Sequence, residues 1–328
     1  MTQTLDKTYT IGIDLGGTKI HVVACDQNGQ VLARARRDTK QWKGREAVID
    51  RMVSMVEDLL ADNDLPRRDL LGVGIGAPGL VDPDSGILYS SVMLPGWYDV
   101  PLAATLGGRL RTDIVVDNDA NAAAYGEWWI GAGRGANTLV CLTIGTGIGG
   151  GLIINGQLYR GPDGTASEFG HMSIEYDGIE CICGSRGCLG MLASGTAMAR
   201  MAREAIESGR KTAMTSLVKG QIQHITGEIV AQAAEQGDPL AGEIVDQIAR
   251  YLGIGIANLV NIFNPDKVVL SGGVAQIGDR LFNRVREEAE KRSFDVPFRR
   301  VQILPASLGL DAGAIGMAGI LRMTLANV

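Results

Sequence analysis

Residues 9–25 read YTIGIDLGGTKIHVVAC. Apolar residues fill both sides of Gly16-Gly17, so the stretch reads as two β-strands joined by a tight turn. VLARARR (31–37) continues as a third strand. REAVIDRMVSMVEDLLA (45–61) carries apolar residues at helical spacing, and LLGVGIGAP (70–78) is a buried strand stopped by Pro78-Gly79. IVVD (114–117) is a further strand running into a helix over DANAAAYGEW. Strands first and strand–helix alternation afterwards define an α/β domain with a mixed sheet.

The pattern then recurs. TLVCLTIGTGIGGGLIING (138–156) is again strand, glycine turn, strand, which suggests an internally duplicated architecture. Helical stretches follow at 194–209, 227–236 and 240–263, then the strand KVVLS (267–271) and a helix near 279–292. The final segment, GLDAGAIGMAGILRM (309–323), is a helix of small residues suited to close packing. The expected division is a small α/β domain over 1–119, joined by the last helix at about 309–328, and a large α/β domain over 120–308.

Composition narrows the function. The chain has 328 residues, with 45% hydrophobic and 21% charged residues and a formal net charge of −6. Nothing in that balance favours a polyanion such as DNA or RNA as partner. The opening MTQTLDKTYT lacks the basic–apolar order of a secretion signal, and the uncharged run at 137–159 is broken by glycines, so the expectation is a cytoplasmic protein without a membrane span. The 45 glycines cluster at a few points, as they do where backbone must come close to a ligand.

Three of those points are turns. In DLGGTK (14–19), glycine N–H groups can reach phosphate oxygens, Thr18 and Lys19 add donors, and Asp14 offers a carboxylate to a hydrated Mg²⁺. In IGTGIGGG (144–151), five of seven residues from Gly145 to Gly151 are glycine, more than a plain hairpin needs, and Thr146 and Gly147 form its tip. SGGV (271–274) places Gly272 and Gly273 between a strand and a helix, where a nucleotide base or ribose can lie against backbone. None of the three matches a P-loop or a dinucleotide-binding glycine motif.

Asp117-Asn118-Asp119 stands where a buried strand meets a helix. A carboxylate there can take the proton of a hydroxyl as it attacks phosphorus. Asp and Asn are also preferred helix caps, and the residues alone leave both uses open. His171, Cys181, Cys183 and Cys188 have the spacing His-x9-Cys-x-Cys-x4-Cys, which suits a closed tetrahedral Zn²⁺ site; the alternative is a set of reduced, unpaired cysteines.

Taken together, DLGGTK, APG (77–79), DNDANAAAYGE (117–127), TIGTGIGGG (143–151), ASEFGHM (166–172), the cysteine cluster and SGGV resemble the ROK family (repressors, open reading frames, kinases), whose sugar kinases share the actin-like ATPase fold. The resemblance runs over nearly the whole chain. It implies two α/β domains of duplicated topology with ATP in the cleft between them. It implies Asp119 as catalytic base and Gly79, Asn118, Asp119, Glu168 and His171 on the sugar side. Asp14, Gly16, Gly17, Thr18, Lys19, Thr146, Gly147, Gly272 and Gly273 fall on the nucleotide side. Zinc would hold one ring nitrogen of His171 and leave the other for a sugar hydroxyl.

The chain departs from the family pattern at one point. After the last cysteine the family reads Cys-x-Glu, and that Glu contacts the sugar near C1 and C2; here the residues are Cys188-Leu189-Gly190. The expected activity is phosphorylation of a hexose by ATP with Mg²⁺, glucose first and N-acetylmannosamine, mannose or fructose as alternatives, or a sugar-binding protein with weak catalysis. A sugar-responsive repressor of the same family would need a helix-turn-helix domain ahead of the first strand, where about ten residues stand. Expected partners are the sugar and ATP, with no nucleic acid and no membrane, and self-assembly as a dimer or tetramer.

Overall fold

The computed structural model describes residues 9–326. The opening octet read above for a signal pattern lies outside the described residues, as do Asn327 and Val328. In chain order the first half holds β1 (Tyr9–Leu15), β2 (Lys19–Asp26), β3 (Val31–Asp38), α1 (Arg45–Asp62), β4 (Leu70–Ala77), β5 (Leu80–Asp82), β6 (Ile87–Ser90), β7 (Tyr98–Pro101), α2 (Leu102–Leu110), β8 (Ile114–Asn118) and α3 (Asp119–Trp129). The second half holds β9 (Leu139–Ile144), β10 (Ile148–Ile154), β11 (Gln157–Leu158), α4 (Leu189–Ala193), α5 (Gly195–Glu207), α6 (Met214–Leu217), α7 (Gly227–Glu235), α8 (Pro239–Phe263), β12 (Lys267–Ser271), α9 (Asp279–Glu290), α10 (Asp295–Arg300), β13 (Gln302–Pro305) and α11 (Ala312–Ala326).

The chain divides into two compact units, Met1–Gly135 with Gly151–Ser167 and Ser307–Val328, and Ala136–Gly150 with Glu168–Ala306. In the first unit the sheet order is β3-β2-β1-β4-β8. Strands β1, β2 and β3 form an antiparallel meander, while β4 runs parallel to both β1 and β8. Strand β4 is buried throughout, and β1 at all but Asp14, because helices cover both faces of the sheet. On one face Met52, Met55 and Val56 of α1 and Leu102 and Leu106 of α2 pack with Ile11, Ile13, Val73 and Ile75. Each such fully buried side chain stabilises by about 1.5–3 kcal/mol.

The other face is built on missing side chains. A Cβ on Gly74 of β4 would collide with the Met317 carbonyl of α11, and one on Gly316 of α11 with the Ala122 carbonyl of α3. Backbone-to-backbone approach of this kind is what the small residues of the last helix predict. The three-stranded sheet β5-β6-β7 and helix α2 fill the stretch between Gly79 and β8, to which the sequence pattern assigns no element.

The second sheet has the order β11-β10-β9-β12-β13, the same arrangement as the first, and its β12 is parallel to both β9 and β13. The duplication inferred from the two glycine hairpins is therefore a duplication of strand order. Helix α8 is the long element of the second unit. Asp238 caps it, its Oδ1 accepting the Ala241 N–H at 2.9 Å, and Pro239 stands at the start, where no N–H is needed. Ile244, Ile248, Leu252 and Ile256 supply a buried apolar stripe, and Asn264 ends the helix in the left-handed region at φ 45°. No helix among the described residues is long and apolar enough to cross a membrane.

Candidate active site

In each sheet the parallel strands end on one edge, and that edge is where an α/β sheet presents its ligands. In the first unit β1 ends after Asp14, β4 leads to Gly79 and β8 ends at Asn118. The expected residues Asp14, Gly16–Lys19, Gly79, Asn118 and Asp119 therefore lie at the carboxyl ends of three neighbouring strands. The hairpin is tight: Gly16 N–H donates to the Lys19 carbonyl at 2.9 Å. Asp14 is packed round by protein, with α11 against it at Gly313, though part of its surface stays open. That desolvation, and then the charge of Asp119, push its carboxyl up from the usual 3.8 to about 7. Lys19 instead turns its ammonium to Asp38.

Asn118 is the cap of α3. Its Oδ1 accepts from Ala120 N–H at 2.8 Å and Asn121 N–H at 3.2 Å, and its Nδ2 donates to the Gly79 carbonyl at 3.1 Å. One amide thus ties the Pro-Gly turn to the helix start. Gly79 has φ 120°, and a Cβ there would collide with the Ser90 carbonyl, so no other residue fits the turn. Asp119 is the first helical residue, directly after the capping Asn118.

Asp117 belongs to β8 and does not cap the helix. It is 2% exposed, and its Oδ2 accepts from Arg160 Nε at 2.7 Å. Its Oδ1 accepts from Asn118 N–H at 2.7 Å and from Asn121 Nδ2 at 3.0 Å. Arg160, the partner that holds Asp117, is a residue that sequence reasoning missed. Its only signal was a cation between the second hairpin and the ASEFGHM run.

In the second unit the turns after β9 and β12 lie at the same sheet edge, since Ser271 pairs with Thr143 in parallel register. Gly195 N–H donates to the Gly145 carbonyl at 2.8 Å and Thr196 Oγ1 to the Thr146 carbonyl at 2.7 Å. The second turn is thereby held at the N-terminus of α5, which Ser194 caps, in the region of positive helix potential. Gly272, at φ 89°, is required by the fold: a Cβ would collide with the Ile144 carbonyl. Gly147 and Gly273 are different. A Cβ at either meets nothing within 4 Å, so protein packing does not demand glycine there.

Glu168 and His171 share one turn, with His171 N–H donating to the Glu168 carbonyl at 2.9 Å, and both side chains are exposed. His171, Cys181, Cys183 and Cys188 place their ligand atoms all within 4.8 Å of one another. His171 Nδ1 lies 3.5 Å from Cys181 Sγ, and Cys183 Sγ lies 3.7 Å from Cys188 Sγ. A tetrahedral zinc with bonds of about 2.3 Å to sulfur and about 2.0 Å to nitrogen sets its ligands about 3.8 Å (S to S) and about 3.5 Å (S to N) apart. The residues fit the ion. The Ser185 N–H, then Cys181, draw the Cys183 thiol down to about 7, whereas burial pushes Cys188 up to about 12, so a bound cation has to draw that proton off. With Nδ1 on the metal side, His171 has Nε2 left for a ligand. Beside it a cavity of about 260 Å³ is lined by Gly147, Ile148, Gly170, Gly190 and Arg200 among others.

Two lobes of one strand order, each ending in glycine turns, with a capped aspartate in one and a His/Cys cluster in the other, define an actin-like ATPase of the sugar-kinase type. The chain belongs to the ROK family, whose model matches residues 10–323. It is 37% identical over 312 residues to a glucokinase of Halalkalibacterium halodurans, covering 95% of this chain and 94% of that one. A solved ROK glucokinase from Streptomyces griseus, in complex with glucose and AMPPNP, superposes with a TM-score of 0.84 at 36% identity, covering 96% of this chain and 99% of that one. The xylose repressor of Bacillus subtilis is 31% identical over 95% of this chain, which spans 76% of that protein.

Proposed function

We propose that this protein is an ATP-dependent hexose kinase with glucose as its leading substrate. The observation that carries the reading is the placement of Asp14 near the end of β1 and of Asp119 directly after β8, two carboxylates at one edge of the same sheet beside the Gly16-Gly17 turn. One suits a metal ion, the other a proton. The glucokinase relatives support the same reading at near full length.

In this mechanism Asp119 accepts the proton of the sugar hydroxyl as the hydroxyl attacks the terminal phosphorus of ATP. Asn118 and Gly79 hold the helix start in place, and Asn118, Glu168 and His171 bind the sugar. The turns at Gly16–Lys19, Thr146-Gly147 and Gly272-Gly273 bind the nucleotide through backbone N–H groups. Asp14 would hold the hydration shell of a Mg²⁺ ion accompanying ATP, which would supply neutralisation of phosphate charge. Zn²⁺ is the metal that His171, Cys181, Cys183 and Cys188 would hold, fixing the His171 ring. The reading includes the cytoplasm, where ATP is available, and self-assembly as a dimer or tetramer.

The sugar depends on Gly190. The cavity it lines gives space beside His171 for a substituent larger than hydroxyl, which favours N-acetylmannosamine among the alternatives to glucose; mannose and fructose carry no such group and stand as alternatives on the missing carboxylate alone. A second reading, sugar binding with weak or no catalysis, draws on the match to the xylose repressor. One assay separates them: ADP release from ATP and Mg²⁺ over a panel of hexoses. Turnover with one hexose supports the kinase; sugar binding without ADP release with any of them supports the second reading.

A further inference from the structure

The first unit has a second concave feature that the kinase reading does not use. Lys19, Arg36, Arg37, Lys40 and Arg51 line a cavity of about 430 Å³, with Asp38 the one acid among its lining residues. The lining is strongly positive on a chain whose net charge is −6.

Three of the cations are engaged. Lys19 pairs with Asp38, Arg37 Nη2 with Asp58 at 2.9 Å, and Arg51 Nη1 donates to the Thr39 carbonyl at 2.8 Å. Arg36 and Lys40 have no ion-pair partner among the described residues. Their charge acts on neighbours: after burial, Arg36 is what lowers the pKa of His21, and after Lys19, Lys40 and Arg51 hold the Asp38 carboxyl below its usual range. Lys40 sits in the left-handed region at φ 54°, a conformation that favours glycine. Thr39 is bonded to the glycine turn, its N–H donating to the Thr18 carbonyl at 2.8 Å and its Oγ1 to the Gly16 carbonyl at 2.6 Å. Lys19, the residue that closes the first glycine turn, itself lines the cavity, so the two share a wall.

A simpler account is that charges on an edge strand block edge-to-edge pairing. That explains Arg34 and Arg36 on β3. It does not explain why Arg51 of α1 and Lys40, beyond the strand, join them around one concave space.

We infer that this cavity is a binding site for a multiply charged phosphate anion, separate from the ATP site and touching it through Lys19. Contact with the ATP site rests on the kinase reading; the anion site itself does not. Guanidinium forks match phosphate oxygens in pairs, which a lysine-only patch cannot do, and the excess of positive charge suits a ligand with several negative charges. Two sources share that chemistry: a free inorganic oligophosphate, and the phosphate ester formed by the kinase.

Calorimetric titration of the intact protein, without ATP or Mg²⁺, at about 0.15 M salt tests it. Tripolyphosphate is the probe in one arm and hexose 6-phosphate in the other. The expected result is saturable binding of at least one, about a hundredfold or more weaker in Arg36→Ala/Lys40→Ala, the loss expected for two charge-assisted hydrogen bonds. The charge-keeping Arg36→Lys/Lys40→Arg variant should retain most of the binding. Neither residue belongs to the catalytic set, so kcat and the KM for ATP should stay within about twofold. Binding in the tripolyphosphate arm alone identifies the free oligophosphate, and binding in the ester arm identifies the product. Absence of binding in both arms, or equal binding by the alanine variant, overturns the site. A failed kinase assay would leave this titration unaffected.

Discussion

Arg160 Nε donates to Asp117 Oδ2 across 2.7 Å, joining residues 43 positions apart, and the two side chains are 22% and 3% exposed. Asp117 in turn accepts from the backbone of Asn118, the cap on which Asp119 rests. The ion pair thus holds the strand–helix junction that carries the proposed base.

Removing one partner strands a buried charge. Arg160→Met is expected to destabilise the fold by about 3–5 kcal/mol and to lower kcat. The neutral double variant Asp117→Asn/Arg160→Gln should recover part of the stability, because no charge is left unpaired. Denaturant unfolding of both variants checks this; equal stability of Arg160→Met and the wild type contradicts it.

Asp14 gives a pH dependence of known sign. Its carboxyl is pushed up to about 7 in the folded protein from a usual 3.8, so between those values the folded chain binds more protons than the unfolded one. Stability contributed at this site therefore falls as pH rises from about 4 to about 7, and the penalty is complete above that. Asp14→Asn should match the wild type near pH 4 and be more stable at pH 8, by an amount on the order of 2–4 kcal/mol and a few degrees in Tm. The same variant should lose activity, as the Mg²⁺-side carboxylate is gone. Thermal melts at the two pH values check the sign; a lower Tm at pH 8 would show that Asp14 is charged and paired.

The cluster at His171 predicts about one zinc per chain by elemental analysis. Cys183→Ser should lose the metal and weaken sugar binding more than ATP binding, because the His171 ring is then free to turn. Metal-free protein with full sugar affinity would separate the cluster from sugar recognition.

The parts legible in the sequence were those with strong local signals. Both glycine hairpins, the buried strand β4 and the helices α1, α8 and α11 were read close to their observed bounds, because periodicity, caps and turns are local chemistry. The His/Cys cluster was readable from spacing alone. The β5–β7 sheet was not: its strands span only three or four residues each and alternate weakly. Arg160 was not legible either, since its partner is fixed by the return of the chain after β11, a tertiary fact with no local mark. Asn118 could be read as cap or ligand, and the structure adds the cap bonds that sequence could only offer as one of two uses.

Gly190 tests the sugar pocket. A Cβ there would stand 3.2 Å from the Gly170 carbonyl and 3.7 Å from Ile148 N, so a side chain needs only a small shift. If the site is a glucose site lacking one carboxylate, Gly190→Glu should tighten glucose binding by roughly 10–150-fold, the worth of a charged hydrogen bond at about 1.5–3 kcal/mol, with the KM for ATP unchanged. If the space serves a larger substituent, preference should shift away from that sugar towards glucose. Sugar kinetics indifferent to the change across a hexose panel would put residue 190 outside the pocket.

The central claim is that Asp119 takes the hydroxyl proton during phosphoryl transfer from ATP to a hexose. Its most direct test is kcat for hexose-dependent ADP release by Asp119→Asn beside the wild type, with circular dichroism and sugar affinity measured on the same samples. The account predicts a fall of about 10²–10⁴-fold in kcat, with the fold and sugar binding kept. An Asp119→Asn protein that retains most of its kcat would contradict it.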